Sequence, residues 1–278
     1  MSAVTNTNLP SLRIQQALAT NHRALDTAMG RLATGQRIRS SADDAAGSTI
    51  GSRLTSRIQG LDMAVRNAND GISMLQTADS ATQEMSAMLW RMKELAIQSA
   101  NDTNGQSERD ALHTEFEQLQ AQLGAVIGNT EWNGSKVLSG EAGASGTVHF
   151  HVGASSADHF TVDMATLNTG SLHDVMQSSL VISSQSGATG ALASIDDALT
   201  ELNDSRSTWG AAANRLVHAA DNAVNVSLNS RASRSRIMDA DYAQTTAEMA
   251  RAMILDQAGS AMLSQANHQP MLVLALLR

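Results

Sequence analysis

The chain has 278 residues, a formal net charge of −8 and no cysteine. That acidic balance disfavours a nucleic-acid or anionic-membrane binder, and without cysteine there are no disulfides or thiolate metal sites. Aromatics make up 3% of the residues and there are two prolines, so bulky core residues are scarce and long stretches lack helix breakers.

The opening MSAVTNTNLP has neither the basic region nor the apolar run of a secretory signal, so any export is expected to use another route. Pro10 suits the first turn of a helix. Ile14, Leu18, Asn21, Leu25, Ala28 and Leu32 then repeat at steps of four and three, a narrow seam of the kind a coiled-coil partner covers. Gly35 is expected to end this helix. Ser41 with Asp44 reads as a capping box, with Asp43 adding negative charge at the next helix start. Leu54, Ile58, Leu61, Val65, Ala68, Ile72 and Leu75 form the clearest seam. It slips near Ala78 and resumes as Ala81, Met85, Met88, Met92 and Leu95. Unbroken over residues 45–100, such a helix would run roughly 80 Å at about 1.5 Å per residue. Ser107 is expected to cap a third helix with Leu112, Phe116, Leu119, Leu123 and Val126 as its seam.

Asn133-Gly134 is a hairpin signal. Over residues 139–190 the texture turns to Gly, Ser, Thr and Ala, and 148–152 and 160–164 alternate like strands. This segment is expected to lie outside the helical packing and to be largely dispensable. Ile195, Leu199, Leu202, Trp209 and Leu216 restore the helical period, and Val217, Val224 and Leu228 form a second line.

The last forty-odd residues carry two stripes. Ala240, Ala243, Ala247, Ala250, Ile254, Ala258 and Ala261 fall on one helical face, and Met238, Tyr242, Met249, Met253 and Leu263 lie roughly opposite. A helix with two apolar stripes must be covered on two sides. It is too polar for a membrane span and is expected to be buried among other chains. The fold class is therefore mainly α: long antiparallel helices in an elongated bundle or coiled coil, with a small β-containing region mid-chain.

Catalytic chemistry has no visible foothold. His149, His151, His159 and His173 with Asp158 and Asp163 gather in the middle, but no HExxH or comparable spacing appears, and ordinary surface histidines are the favoured reading. Arg231, Arg234 and Arg236 read as a solvated face or as salt-bridge partners. Gly47 and Gly51 form a GxxxG that favours close packing over ligand binding. No enzyme activity, cofactor or metal is expected.

Six blocks carry a resemblance: RLATGQRIRSSADDAAG (31–47), RNANDGIS (66–73), LWRMKELAIQSAN (89–101), TEWNGSKVL (130–138), SRSRIMDADYA (233–243) and QAGSAMLSQANHQPMLVLALLR (257–278). In order and spacing they resemble bacterial flagellin, across about residues 1–140 and 190–278. The resemblance implies a structural subunit that self-assembles into the extracellular flagellar filament and serves swimming motility. Residues 1–41 with 241–278 would form an inner-tube coiled coil, 42–138 with 191–240 an outer-tube rod, and 139–190 a short variable segment replacing the large outer domains. Filament packing would rest on Leu18, Leu25, Leu32, Ala243, Ala247, Ala250, Ile254, Ala258 and Ala261.

Its implied partners are many copies of itself, the flagellar export machinery and chaperone, and the filament cap and hook-junction proteins. Neither nucleic-acid binding nor membrane insertion is implied. Host innate immune receptors read this family too. The surface receptor's contact block matches Arg91, Leu95 and Glu115, with Trp90 and Lys93 departing from the commonest form. The cytosolic receptor's determinant matches Val273, Leu274, Leu276 and Leu277. A hook-filament junction protein of the same superfamily is the alternative in class, and a surface adhesin using the middle segment is the alternative outside it.

Overall fold

The computed structural model describes residues 7–143, 146–164, 167 and 169–276, with side chains as far as His268. Among them the elements run α1 (Leu9–Thr34), α2 (Ala45–Ala100), α3 (Gln106–Asn129), β1 (Glu131–Trp132), β2 (Ser135–Lys136), β3 (Thr147–His151), β4 (His159–Asp163), α4 (Ser171–Met176), α5 (Gln185–Met238) and α6 (Tyr242–Leu276). The fold is mainly α, and its strands form two antiparallel hairpins, β1-β2 and β3-β4. Two compact units divide the chain: Met1–Ser56 with Asn229–Arg278, and Arg57–Leu228.

In the first unit, the Asn8 side chain caps α1 by accepting from the Ser11 N–H at 3.1 Å, and Pro10 sits in the opening turn. Gly35 closes α1 with φ 68°, a left-handed conformation glycine adopts without Cβ strain, and its N–H donates to the Arg31 carbonyl at 2.8 Å. The start of α2 departs from the expected Ser41–Asp44 box. Asp44 is itself the cap, accepting from the Gly47 N–H at 2.9 Å, while Asp43 accepts from the Arg39 and Ser40 N–H groups at 3.0 Å each. Carboxylates make stronger acceptors than a hydroxyl and complement the positive helix end. A Cβ on Gly51 would lie 2.5 Å from Met238 Sδ, so this glycine of the GxxxG serves close helix packing, while a Cβ on Gly47 would meet Asp44 and Ile38 beside its own helix start. The last expected helix begins late. Met238 ends α5, and Ala240 falls in the break before α6 rather than on its stripe.

The second unit holds the large apolar core. The pattern slip near Ala78 does not interrupt α2: Leu75 and Ala78 are buried, and burial continues through Met85, Leu89, Met92 and Leu95. A long helix with a 3.5-residue pattern drifts about 20° per heptad, and a slip of a few residues resets the buried face. The cap of α3 is Gly105, without a side-chain bond, and not Ser107, which already lies inside the helix. Asn133 (φ 51°) and Gly134 (φ 78°) make the two-residue turn between β1 and β2, as the Asn-Gly pair predicts.

The middle segment corrects the expectation of a loose exterior. Phe150, Val162, Met164, Leu172, Val175 and Ile182 all belong to the core. Alternation along β3 and β4 sends Phe150 and Val162 inward while His149, His151 and His159 face solvent. The hairpin rests on both long helices of this unit. Trp209 Nε1 of α5 donates to the Asp163 carbonyl at 3.2 Å, and Asn67 of α2 donates to the His151 carbonyl at 3.0 Å. The Arg215 guanidinium stacks 4.2 Å from the Phe160 ring centre. On α3, the buried Gln120 amide donates to the carbonyls of Val175 at 2.7 Å and Gln177 at 3.2 Å, pinning the end of α4 and the residue that follows it. With so few aromatics elsewhere, the bundle takes two of its three phenylalanines from this hairpin.

Candidate functional site: the terminal helix pair

Helices α1 and α6 pack antiparallel. Asn8 Nδ2 donates to the Ala266 carbonyl at 2.9 Å near one end, and the Tyr242 hydroxyl donates to the Leu32 carbonyl at 2.9 Å near the other. Between them Asn21 Nδ2 donates to the Ala252 carbonyl at 2.7 Å, and His22 Nε2 lies 3.3 Å from Asp256 Oδ1. At the base, Arg37 N–H donates to the Met238 carbonyl at 2.7 Å and Ala240 N–H to the Gly35 carbonyl at 2.9 Å. These directional bonds fix the register of a pair whose apolar seam is thin, a role often given to a polar residue in a coiled coil.

On α1 the inward positions are Ser11, Ile14, Leu18, Asn21, Leu25, Ala28 and Leu32, all buried or half-buried and spaced alternately by three and four. On α6 they are Thr245, Met249, Ala252, Asp256, Gly259, Leu263 and Ala266, spaced by four and three. At Gly259 a large residue on α1 meets a position with no side chain on α6. A Cβ on Gly259 would lie 2.6 Å from Leu18 Cδ2, so the absence of a side chain there makes room for Leu18. Leu18, Leu25 and Leu32 are only half-buried, which at roughly 1 kcal/mol each leaves the seam modest.

The alanine stripe takes no part in this seam. Ala243, Ala247, Ala250, Ile254, Ala258 and Ala261 are all exposed, and Ile254 reaches 66%. With Ala252 and Asp256 at seam positions, these residues fall on the heptad positions turned away from α1. Of the opposite stripe only Met249 and Leu263 enter the seam, while Tyr242 and Met253 stay exposed at 57% and 41%. The helix therefore spends one face on α1 and keeps the other open. Beside it, a groove of about 550 Å³ is lined by Arg13, Gln16, Ala17, Thr20, Asn21, Ala24 and Leu255. Asn21 was visible in the sequence as a polar seam residue, but nothing there signalled the carbonyl contacts of Asn8 and Tyr242.

In the second unit, Arg91 and Glu115 come together on exposed faces of α2 and α3. Arg91 Nε donates to Glu115 Oε1 at 2.9 Å, and its Nη1 donates to Glu94 Oε2 at 3.1 Å. The bond to Glu115, then that to Glu94, raises the Arg91 pKa above its ordinary range. Leu95 does not join them at the surface. It is 1% exposed and belongs to the core, because the same heptad that carries Met92 turns it inward. Trp90 is 62% exposed, and Lys93 pairs with Asp196 of α5. Val273, Leu274 and Leu276 lie on α6 beyond the last described side chain, and Leu277 lies outside the described residues. Among the described residues no helix is long and apolar enough to cross a membrane.

Residues 5–142 match the family model of the bacterial flagellin N-terminal helical region, and residues 192–277 match that of the bacterial flagellin C-terminal helical region. A flagellin of Halalkalibacterium halodurans is 38% identical over 275 residues, covering 99% of this chain and 100% of that one. A flagellin of Listeria monocytogenes is 36% identical over 282 residues, covering 98% of each. The crystal structure of Bacillus cereus flagellin superposes with a TM-score of 0.50 at 28% identity, covering 57% of this chain and 88% of that one. Paired helical ends in family order, matched over nearly the full length of a relative, lead to one conclusion: the chain belongs to the bacterial flagellin family, in a short form.

Proposed function

We propose that the chain is a structural subunit of the bacterial flagellar filament, serving motility, and that it assembles through the open face of α6. The observation that carries this reading is Ile254, 66% exposed among five exposed alanines on a helix whose other seam is already occupied. A stripe of small residues lets a neighbouring helix approach closely, and one large residue in it supplies an anchor. Soluble chains rarely leave such a stripe uncovered. In this reading residues 1–41 and 241–278 line the inner tube of the filament, and 42–138 with 191–240 surround them. Its medium is extracellular, and its role is structural rather than enzymatic. In the same reading the chain is exported through the flagellar apparatus with a chaperone and meets capping and junction proteins at the filament ends. Arg91 and Glu115 are the exposed pair available to a host surface receptor, with Leu95 supporting them from beneath.

The experiment is seeded growth. Purified chain added to short filament fragments extends them, as seen by electron microscopy. A folded chain that stays monomeric on its own seeds overturns the reading.

A further inference from the structure

The outer face of the β3-β4 hairpin gathers histidines in a way the linear spacing conceals. Read along the strand, His149 and His151 are merely two residues apart. The register places His159 directly across from His151, and Thr161 across from His149. The Val152 N–H donates to the Asp158 carbonyl and the Met164 N–H to the Gly146 carbonyl. Hydrogen-bonded pairs therefore fall on the even-numbered residues. Antiparallel alternation then makes His151–His159 and His149–Thr161 non-hydrogen-bonded pairs, the kind whose side chains stand closest, with Cβ atoms about 4.5–5.5 Å apart. The His149 and His159 rings lie on the diagonal between these pairs, with centroids 6.0 Å apart and planes at 72°. All three rings are exposed.

We propose that His149, His151 and His159 bind one borderline divalent transition-metal ion, of the zinc or nickel type, on this face. A metal takes imidazole nitrogens at about 2.0–2.1 Å, which brings two ring centroids to within roughly 5–6 Å of each other, close to the His149–His159 separation. Among the described residues the donors do not already converge as a set of three, and His149 Nδ1 rests 3.0 Å from Thr161 Oγ1. Closing the site takes rotation of exposed rings and leaves the backbone in place. That backbone is held from below by the buried Phe150 and Val162, by Trp209 at the Asp163 carbonyl and by Asn67 at the His151 carbonyl. A rigid platform costs the site little ordering entropy. Neutral imidazole is the favoured ligand for these ions, water completes the coordination, and no carboxylate is required. Asp158, the nearest acid in sequence, is engaged with the Ser155 N–H at 3.1 Å. The site lies between the two matched family regions, which end at 142 and resume at 192, so it is a property of this chain's middle and does not depend on the filament reading.

The test is zinc titration of the chelator-stripped full-length monomer by calorimetry, with a thermal melt at each zinc concentration. The expected result is one zinc per chain in the micromolar range and an upward shift of the melt with zinc. His151→Gln and His159→Gln should each weaken binding by about tenfold or more, while His218→Gln, on α5, leaves it unchanged. The three positions are exposed, and metal-free melts at the wild-type temperature verify that the variants fold. No zinc uptake, uptake that survives the His151→Gln/His159→Gln double variant, or equal loss in His218→Gln each overturns the proposal.

Discussion

Gly259 sits under Leu18: any side chain on that residue would begin 2.6 Å from the leucine's Cδ2. This knob in a glycine-made hole sets how closely α1 and α6 approach. Gly259→Val is therefore expected to loosen the pair by about 1–3 kcal/mol, the usual cost of overpacking. Leu18→Ala in the same chain should recover part of that loss. Amide exchange along α6 reads both, and equal protection in wild type and Gly259→Val contradicts the seam described.

The unit built from the middle of the chain makes a second prediction. Phe150 is 8% exposed and lies against α2 and α5. Phe150→Ala should cost about 3–5 kcal/mol and lower the melting temperature of the monomer. Replacing residues 143–186 by a short Gly-Ser link removes Phe150, Val162 and Leu172 from the core together, and should abolish cooperative melting. A cooperative melt near the wild-type temperature would show that the hairpin is peripheral.

Leu95 and Arg91 sit four residues apart on α2 yet should behave oppositely. Leu95→Ala opens a cavity in the core at about 2–5 kcal/mol, so it lowers the melt and weakens receptor signalling only through folding. Arg91→Ala removes an exposed pair and leaves the melt essentially unchanged, yet it should reduce activation of a surface receptor by monomer more than Ser156→Ala does. Signalling equal for Arg91→Ala and Ser156→Ala removes the proposed contact.

Asp43 gives the pH dependence. Its carboxylate is held below its ordinary pKa chiefly by the backbone N–H bonds from Arg39 and Ser40. A lowered folded-state pKa means the unfolded chain takes up the proton first as pH falls. The stabilisation is therefore complete above the ordinary carboxylate range and is lost as pH drops through the lowered value. Protection of the Arg39 and Ser40 amides, taken relative to their intrinsic exchange rates at each pH, should fall across that acidic window, and Asp43→Asn should flatten the response. An unchanged profile in Asp43→Asn contradicts the assignment.

Much of this was readable from residue spacing. The α1 seam from Ile14 to Leu32 was legible because Leu18, Leu25 and Leu32 recur at heptad spacing with Ile14, Asn21 and Ala28 between them. The β3-β4 strands were legible from alternation, and Gly35 and Asn133-Gly134 from turn chemistry. The face by which α6 meets α1 was not. Small residues occur all round that helix, so hydrophobic periodicity alone favoured the Met and Ala stripes. The pairing face was decided by fit, with Gly259 receiving Leu18 and Asn21 reaching the Ala252 carbonyl. The burial of Phe150, Val162, Met164, Leu172 and Val175 was hidden for a related reason. Gly, Ser and Thr dominate the composition of residues 139–190, and the few core residues there are too widely spaced to show a period.

The central claim is that the open stripe of α6 is the assembly surface, and Ile254→Asp tests it most directly. At 66% exposure in the single chain, Ile254 can take a carboxylate with little effect on folding. Buried against a neighbouring subunit, that carboxylate lacks a partner and costs several kcal/mol, at every copy along the filament. Seeded elongation followed by light scattering and electron microscopy should show no growth from Ile254→Asp, with the monomer melting as wild type, while Ser156→Asp elongates normally. Elongation of Ile254→Asp at the wild-type rate would contradict the account.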